Sequence, residues 1–332
     1  QLIIVDPLTG KENILADKLP EGYFQVSPTE DWLLYSLTQE GPKERKEIYE
    51  VIEPDDRQPG WRDRSSLAMY DLKTGLMQPL TFGFHNAWAL DISSDGQKVL
   101  MMTSRSRLTQ RPTTLSSLYL LDVNTLKAET LVAEDGFLGG ASFSPDGTQI
   151  LLTGSPETLG GIGLNLPEGL IPNQYDYQMY LMNLADKKIT PVTKDFNPSV
   201  QQTVWNKVDG QIYFTAENRD YISLYRMNPK DGKIQELEAK EDLVKSISLA
   251  DGAPVLAYYG QGAMNSDRLY TLDTKKMKQV LVEDLSQELL EDVQLGECHD
   301  WNFINSKGDT IYGRYYLPPH FDASKKYPMI VN

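Results

Sequence analysis

The chain keeps repeating one hairpin. Its fullest copy is residues 141–152, Ala-Ser-Phe-Ser-Pro-Asp-Gly-Thr-Gln-Ile-Leu-Leu, two short apolar-alternating runs around a Pro-Asp-Gly turn. Proline presets the first turn dihedral, and Asp and Gly accept the bridging and positive values that follow, so the stretch predicts a β-hairpin. Residues 92–100 are a second copy, and weaker ones lie at 26–34, 205–214 and 249–256.

A second unit alternates with the first. Residues 117–127 pair a β-rich run with a polar turn, and relatives stand at 2–10, 67–75, 179–187, 224–232 and 269–276. Their acidic or amide markers are Asp6, Asp71, Asp122, Asn183, Asn228 and Asp273. The mean interval is about 53 residues, slightly above the period of a four-stranded propeller blade. The last two intervals are 45 residues each, and the longer ones contain insertions. Two hairpins per period make a four-stranded antiparallel sheet, and such sheets set around an axis bury both faces against their neighbours. We therefore expect a β-propeller in which residues 1–16 are half a blade and five full blades follow. Because the chain opens inside a strand, residues ahead of it are expected.

Composition narrows the partners. A net charge of −15 and a pI near 4.7 argue against nucleic acid and anionic membrane, which both ask for a basic face. No apolar run is long enough to span a bilayer. The single cysteine, Cys298, excludes an internal disulfide framework and a Cys-based metal cluster. There is no His-Glu-x-x-His, no Cys-x-x-Cys and no phosphate-binding loop, so neither a metal nor a cofactor is expected.

Three insertions interrupt the repeat. Residues 39–64 are charged and broken by proline, with Asp55, Asp56, Arg57, Arg62 and Arg64 available for contacts. Residues 104–114 hold Arg105, Arg107 and Arg111, a candidate carboxylate-binding group because guanidinium forks match carboxylates. Residues 154–178 form a Gly- and Pro-rich, partly apolar loop, a candidate lid or domain contact; its Gly160-Gly161-Ile162-Gly163 lacks dinucleotide-binding spacing. After the fifth blade, Leu285, Leu289, Leu290 and Val293 recur at helical spacing and predict a short helix over 283–294.

From Glu297 the repeat stops. A hairpin over 298–319 and a linker lead to the apolar run Met329-Ile330-Val331. This passage, with Gly308, Ile311, Gly313 and Pro318 followed by Lys325-Lys326-Tyr327-Pro328-Met329-Ile330-Val331, resembles the junction in the prolyl oligopeptidase family of serine peptidases, particularly its dipeptidyl peptidase IV-like branch. There a propeller of such hairpins passes into an α/β-hydrolase domain. The expected fold is all-β: four-stranded antiparallel blades, seven or eight in the intact protein, plus the first strands of a truncated α/β-hydrolase domain. Residues 1–295 would be the propeller, its first blade incomplete, and 296–332 the junction and start of the truncated peptidase domain.

The resemblance implies a substrate-gating propeller of a serine exopeptidase or oligopeptidase that hydrolyses short peptides. No catalytic residue is assigned in this chain, which alone should be inactive. Gly-x-Ser-x-Gly is absent, and Gly140-Ala141-Ser142-Phe143-Ser144 ends in serine on a blade strand. His85 lies in an interblade loop, His299 in the junction hairpin and His320 in the linker. Cys298 and His299, as neighbours on a strand, point to opposite faces and make a poor nucleophile–base pair. The branch holds a substrate's amino end with neighbouring glutamates. This chain has no Glu-Glu pair, and Glu134 and Glu157 are the substrate-binding candidates. The implied partners are short peptides and the chain's own C-terminal α/β-hydrolase domain, with no nucleic acid and no membrane span; a homodimer stays open. The implied location is periplasmic or secreted. The alternative reading is a non-catalytic propeller that binds a protein or peptide partner.

Overall fold

The computed structural model describes residues 1–41, 62–83 and 85–331, so Asp55, Asp56 and Arg57 of the charged insertion lie outside the described residues. The chain divides into two compact units: residues 1–174 with 179–191, and residues 175–178 with 192–332.

The first unit opens with a two-stranded sheet, β1 (Leu2–Val5) and β2 (Glu12–Ala16). Three four-stranded blades follow. Blade 1 is β3 (Tyr23–Val26), β4 (Trp32–Gln39), β5 (Arg64–Asp71) and β6 (Met77–Pro79); blade 2 is β7 (Ala87–Ile92), β8 (Lys98–Ser106), β9 (Thr114–Asp122) and β10 (Ala128–Asp135). Blade 3 is β11 (Leu138–Phe143), β12 (Gln149–Gly154), β13 (Gln178–Asn183) and β14 (Ile189–Pro191), with a one-turn helix α1 (Thr158–Gly161) in the long insertion.

The second unit holds blade 4, β15 (Ser199–Trp205), β16 (Ile212–Asn218), β17 (Tyr221–Met227) and β18 (Ile234–Leu237), and blade 5, β19 (Leu243–Leu249), β20 (Val255–Gln261), β21 (Arg268–Asp273) and β22 (Lys278–Asp284). A single parallel bridge, Ile222 to Leu243, joins the two blades. A helical turn α2 (Gln287–Leu290) and a two-stranded hairpin, β23 (Glu297–Ile304) and β24 (Thr310–Leu317), complete it. The fold class is all-β with propeller blades, as the repeat requires.

The inner strands are apolar on both faces, beyond the alternation expected of the hairpins. On β8, Val99 and Met101 pack with Trp32, Leu34 and Leu67 of blade 1, while Leu100 and Met102 pack with Phe143, Ile150 and Leu152 of blade 3. Side chains alternate faces along a strand, and both faces meet a neighbouring blade, so both sets must be apolar. In the second unit Tyr213, Leu224, Leu256, Tyr258 and Leu272 make the same kind of layer between blades 4 and 5.

The turn markers have a local cause. Asp122 Oδ1 accepts the amides of Asn124 and Thr125 at 3.1 and 2.9 Å, and Asp71, Asp273, Asp6, Asn183 and Asn228 do the same with the residues after them. A short side-chain acceptor closes the turn, so an acid or its amide serves equally. In the other hairpin Ser144 Oγ donates to Asp146 at 2.7 Å and accepts the Gln149 amide at 2.9 Å, and Gly147 takes φ 68°.

A device the pattern does not announce ties successive blades. Asp91, at an irregularity in β7, accepts the Phe143 amide of blade 3 at 2.7 Å; Gln202, at the matching irregularity in β15, accepts the Ile247 amide of blade 5 at 3.1 Å.

The helix expected over 283–294 is only the turn α2. β22 runs on to Asp284, whose carboxylate binds the amide and hydroxyl of Ser286. Leu285, Leu289 and Val293 stay exposed, so no apolar face is buried that would stabilise further turns.

Candidate functional site

Within the first unit, the insertions of blades 2 and 3 meet at the turn from β10 to β11. Two glycines allow the close approach. A Cβ on Gly136 would lie 1.9 Å from Pro112 Cγ, and one on Gly154 would lie 2.7 Å from the Phe137 carbonyl oxygen. Asp135 then clasps the second insertion: Oδ1 accepts the Thr158 hydroxyl at 3.0 Å and the Phe137 amide at 2.7 Å, and Oδ2 accepts the Leu159 amide at 2.7 Å.

This clasp brings Glu134 and Glu157 to one neighbourhood, each adjacent in sequence to a clasped residue. Their circumstances differ. Glu134 is ion-paired to Arg105, Oε1 to Nε at 2.6 Å, and its amide donates to Ser117 Oγ at 3.0 Å. The Arg105 hydrogen bond, helped by the charges of Arg105 and Arg107, holds its carboxyl below the usual glutamate range. Glu157 is half-buried at the N-terminus of α1, and its side chain makes no hydrogen bond or ion pair among the described residues. The site thus contains one carboxylate already occupied by an arginine and one that is free.

The backbone here is unusual as well. Glu134 has φ 49° within strand β10, and Leu159 has φ 57° with ψ 39° inside α1. Left-handed conformations of non-glycine residues concentrate at functional sites when the surroundings enforce them. Here Ser117 and Asp135 supply hydrogen bonds that do so.

Of the arginines, Arg105 serves Glu134, and Arg107 spends two guanidinium nitrogens on the Pro112 carbonyl at 3.2 and 3.1 Å. Arg111 is exposed and belongs to neither arrangement. Asp135, which organises the site, is not among the sequence candidates; its local signal is an acid one residue before a glycine at a strand end.

The remaining candidates lie elsewhere. In the second unit, His299 Nε2 is 2.9 Å from Glu297 and its ring stacks on Tyr315, while Cys298 is registered opposite Tyr316. His320 Nε2 lies 3.0 Å from Gln294 Oε1. A cavity of about 490 Å³, lined by Met264, Leu289, Leu290, Leu295, Leu317 and Glu297, contains none of the candidate residues. Among the described residues no group of three His, Cys, Asp or Glu side chains is placed to hold a metal, and no helix is long and apolar enough to cross a membrane.

No family model matches the chain. By sequence it is similar to dipeptidyl-peptidase 5 of Porphyromonas gingivalis, 22% identical over 243 residues, which are 72% of this chain and 33% of that protein. By fold it overlays on Pyrococcus horikoshii acylaminoacyl peptidase with a TM-score of 0.68 at 16% identity, covering 98% of this chain and 48% of that one. An oligogalacturonate lyase from Vibrio parahaemolyticus overlays with a TM-score of 0.58 at 14% identity, covering 86% of this chain and 71% of that one. The chain thus spans a third of the curated peptidase it matches and about half of the archaeal peptidase structure. The lyase shares the fold alone, whereas the peptidase match is a match of sequence as well. The chain resembles the propeller region of peptidases of the prolyl oligopeptidase family.

Proposed function

We propose that this chain is the propeller that admits substrate to a serine peptidase acting on short peptides. The observation that carries the reading is the sequence match to a dipeptidyl-peptidase over 72% of the chain. In this reading residues 1–295 restrict access, residues 296–332 lead into an α/β-hydrolase domain, and that domain supplies the serine, histidine and aspartate. A periplasmic or secreted location belongs to the same proposal.

The site at the β10–β11 turn gives the propeller a part in recognition. Glu157 holds the ammonium of a peptide's free amino end, since a half-buried carboxylate without a partner gains most from a charged donor. Arg105, oriented by Glu134, offers its remaining nitrogens to a peptide carbonyl or carboxylate.

Titration calorimetry with a tripeptide and its N-acetylated form tests this directly. The free-amine peptide should bind more tightly, and Glu157→Gln should weaken it by about tenfold, the loss expected for one charge-assisted hydrogen bond. Equal binding of both peptides, or no effect of the substitution, would remove Glu157 from recognition.

A further inference from the structure

The β23–β24 hairpin is attached in an unusual way. No residue of either strand is buried; only Cys298, His299, Gly313, Arg314 and Leu317 are even half-buried. Its large apolar side chains, including Trp301, Ile304 and Tyr316, are exposed. Apart from Leu317 and Tyr316, which line the cavity beside Met264 and Leu290, its apolar side chains contribute little to holding it against blades 4 and 5.

A polar contact holds it there. Arg314, with its side chain only 15% exposed, directs Nε to Asp220 Oδ2 at 2.6 Å and Nη1 to Asp242 Oδ2. Its guanidinium lies 4.5 Å from the Tyr221 ring centroid, and the Tyr221 hydroxyl donates to Asp300 of β23 at 2.8 Å. Arg219 lies over the Tyr312 ring at 4.2 Å. Asp220 lies in the β16–β17 turn of blade 4, Tyr221 is the first residue of β17, and Asp242 immediately precedes β19 of blade 5. The one bridge between these blades, Ile222 to Leu243, adjoins both. One planar fork thus engages a carboxylate from each blade at their seam, a geometry open to arginine and closed to lysine.

We propose that β23–β24 is a detachable strap pinned at the seam of blades 4 and 5 by Arg314, and that breaking the pin releases the hairpin while both blades stay folded. The inference stands on these contacts and does not require the peptidase reading. If that reading holds, the pin also sets where the chain leaves the propeller.

An isolated two-stranded hairpin is marginal in water, so release should appear as faster amide exchange along both strands. Hydrogen exchange followed by mass spectrometry on the 332-residue chain measures it. Arg314→Gln should speed exchange over 297–317 by about tenfold or more, with the central strands β16, β17, β20 and β21 still protected. Arg314→Lys should fall between wild type and Arg314→Gln, because an ammonium cannot fork across two carboxylates. Asp242→Asn, which removes one arm, should also be intermediate. Unchanged exchange over 297–317 in Arg314→Gln overturns the proposal. So does a parallel loss of protection in blades 4 and 5, which would make Arg314 part of the blade fold.

Discussion

Blades 2 and 3 carry insertions and blades 4 and 5 carry none, although all four are built from the same two hairpins. In blades 4 and 5 the left-handed residues Arg219 and Met277 occupy tight hairpin turns, and the most buried carboxylate, Glu241, is fully engaged by Tyr270 at 2.7 Å and Asn265 at 2.8 Å. Blades 2 and 3 have the same kind of turn residue at Leu126 and Lys187, but add left-handed residues at Glu134, where the β10 register is irregular, and at Leu159 in the kinked turn α1, and among the described residues Glu157 has no partner. In the regular blades the buried carboxylate is spent on the scaffold. The interrupted ones leave the half-buried Glu157 carboxylate without a partner among the described residues, and the recognition proposed above rests on it.

The largest test of this contrast is a pair of truncations. Phe214→Ala in blade 4 removes a fully buried ring stacked on Tyr225 and in edge contact with Phe196, and should cost about 3–5 kcal/mol in urea unfolding. Leu164→Ala in the blade 3 insertion, at a residue 41% exposed, should change stability by less than about 0.5 kcal/mol. Similar costs at the two positions would mean that the insertion is as much a part of the core as the blade.

A smaller effect appears at alkaline pH, with its largest shifts in the second unit. Burial, reinforced by nearby carboxylates, pushes Tyr258 and Tyr270 up to about 12, and burial with the Asp300 hydrogen bond does the same for Tyr221. A raised tyrosine pKa means that the folded state holds its proton more tightly than the unfolded chain. That stability is fully present below about pH 10 and is lost as pH rises from there towards 12. In the first unit Tyr35 is shifted the same way. Urea midpoints followed from neutral to strongly alkaline pH should fall over this window, and Tyr270→Phe should flatten the fall. An unaltered slope in Tyr270→Phe would show that the loss arises elsewhere.

The blades were legible because what fixes them is local. Asp122 closes its turn with the amides of Asn124 and Thr125, and Ser144 reaches only as far as Gln149, so a short window of sequence contains the whole cause. The insertion sites were legible as interruptions of the period. Their chemistry was not, because its partners are distant: Arg105 finds Glu134 29 residues on, and Asp135 finds Thr158 after 23. Arg314 lies 94 residues from Asp220 and 72 from Asp242, and no short motif announces such a meeting. The helix expected at 283–294 failed for a related reason. Its spacing was helical, but Leu285, Leu289 and Val293 stay exposed, so no apolar face is buried along its length.

The central claim, that this propeller serves a serine peptidase, is tested most directly by active-site labelling of the complete product of the gene that encodes it. With a fluorophosphonate probe, the account predicts a label on a serine outside residues 1–332, within Gly-x-Ser-x-Gly and followed in chain order by aspartate and histidine, with no label on the 332-residue chain alone. An unlabelled complete product, or a label within the blades, would contradict it, and the first outcome would leave a non-catalytic binding propeller as the better account.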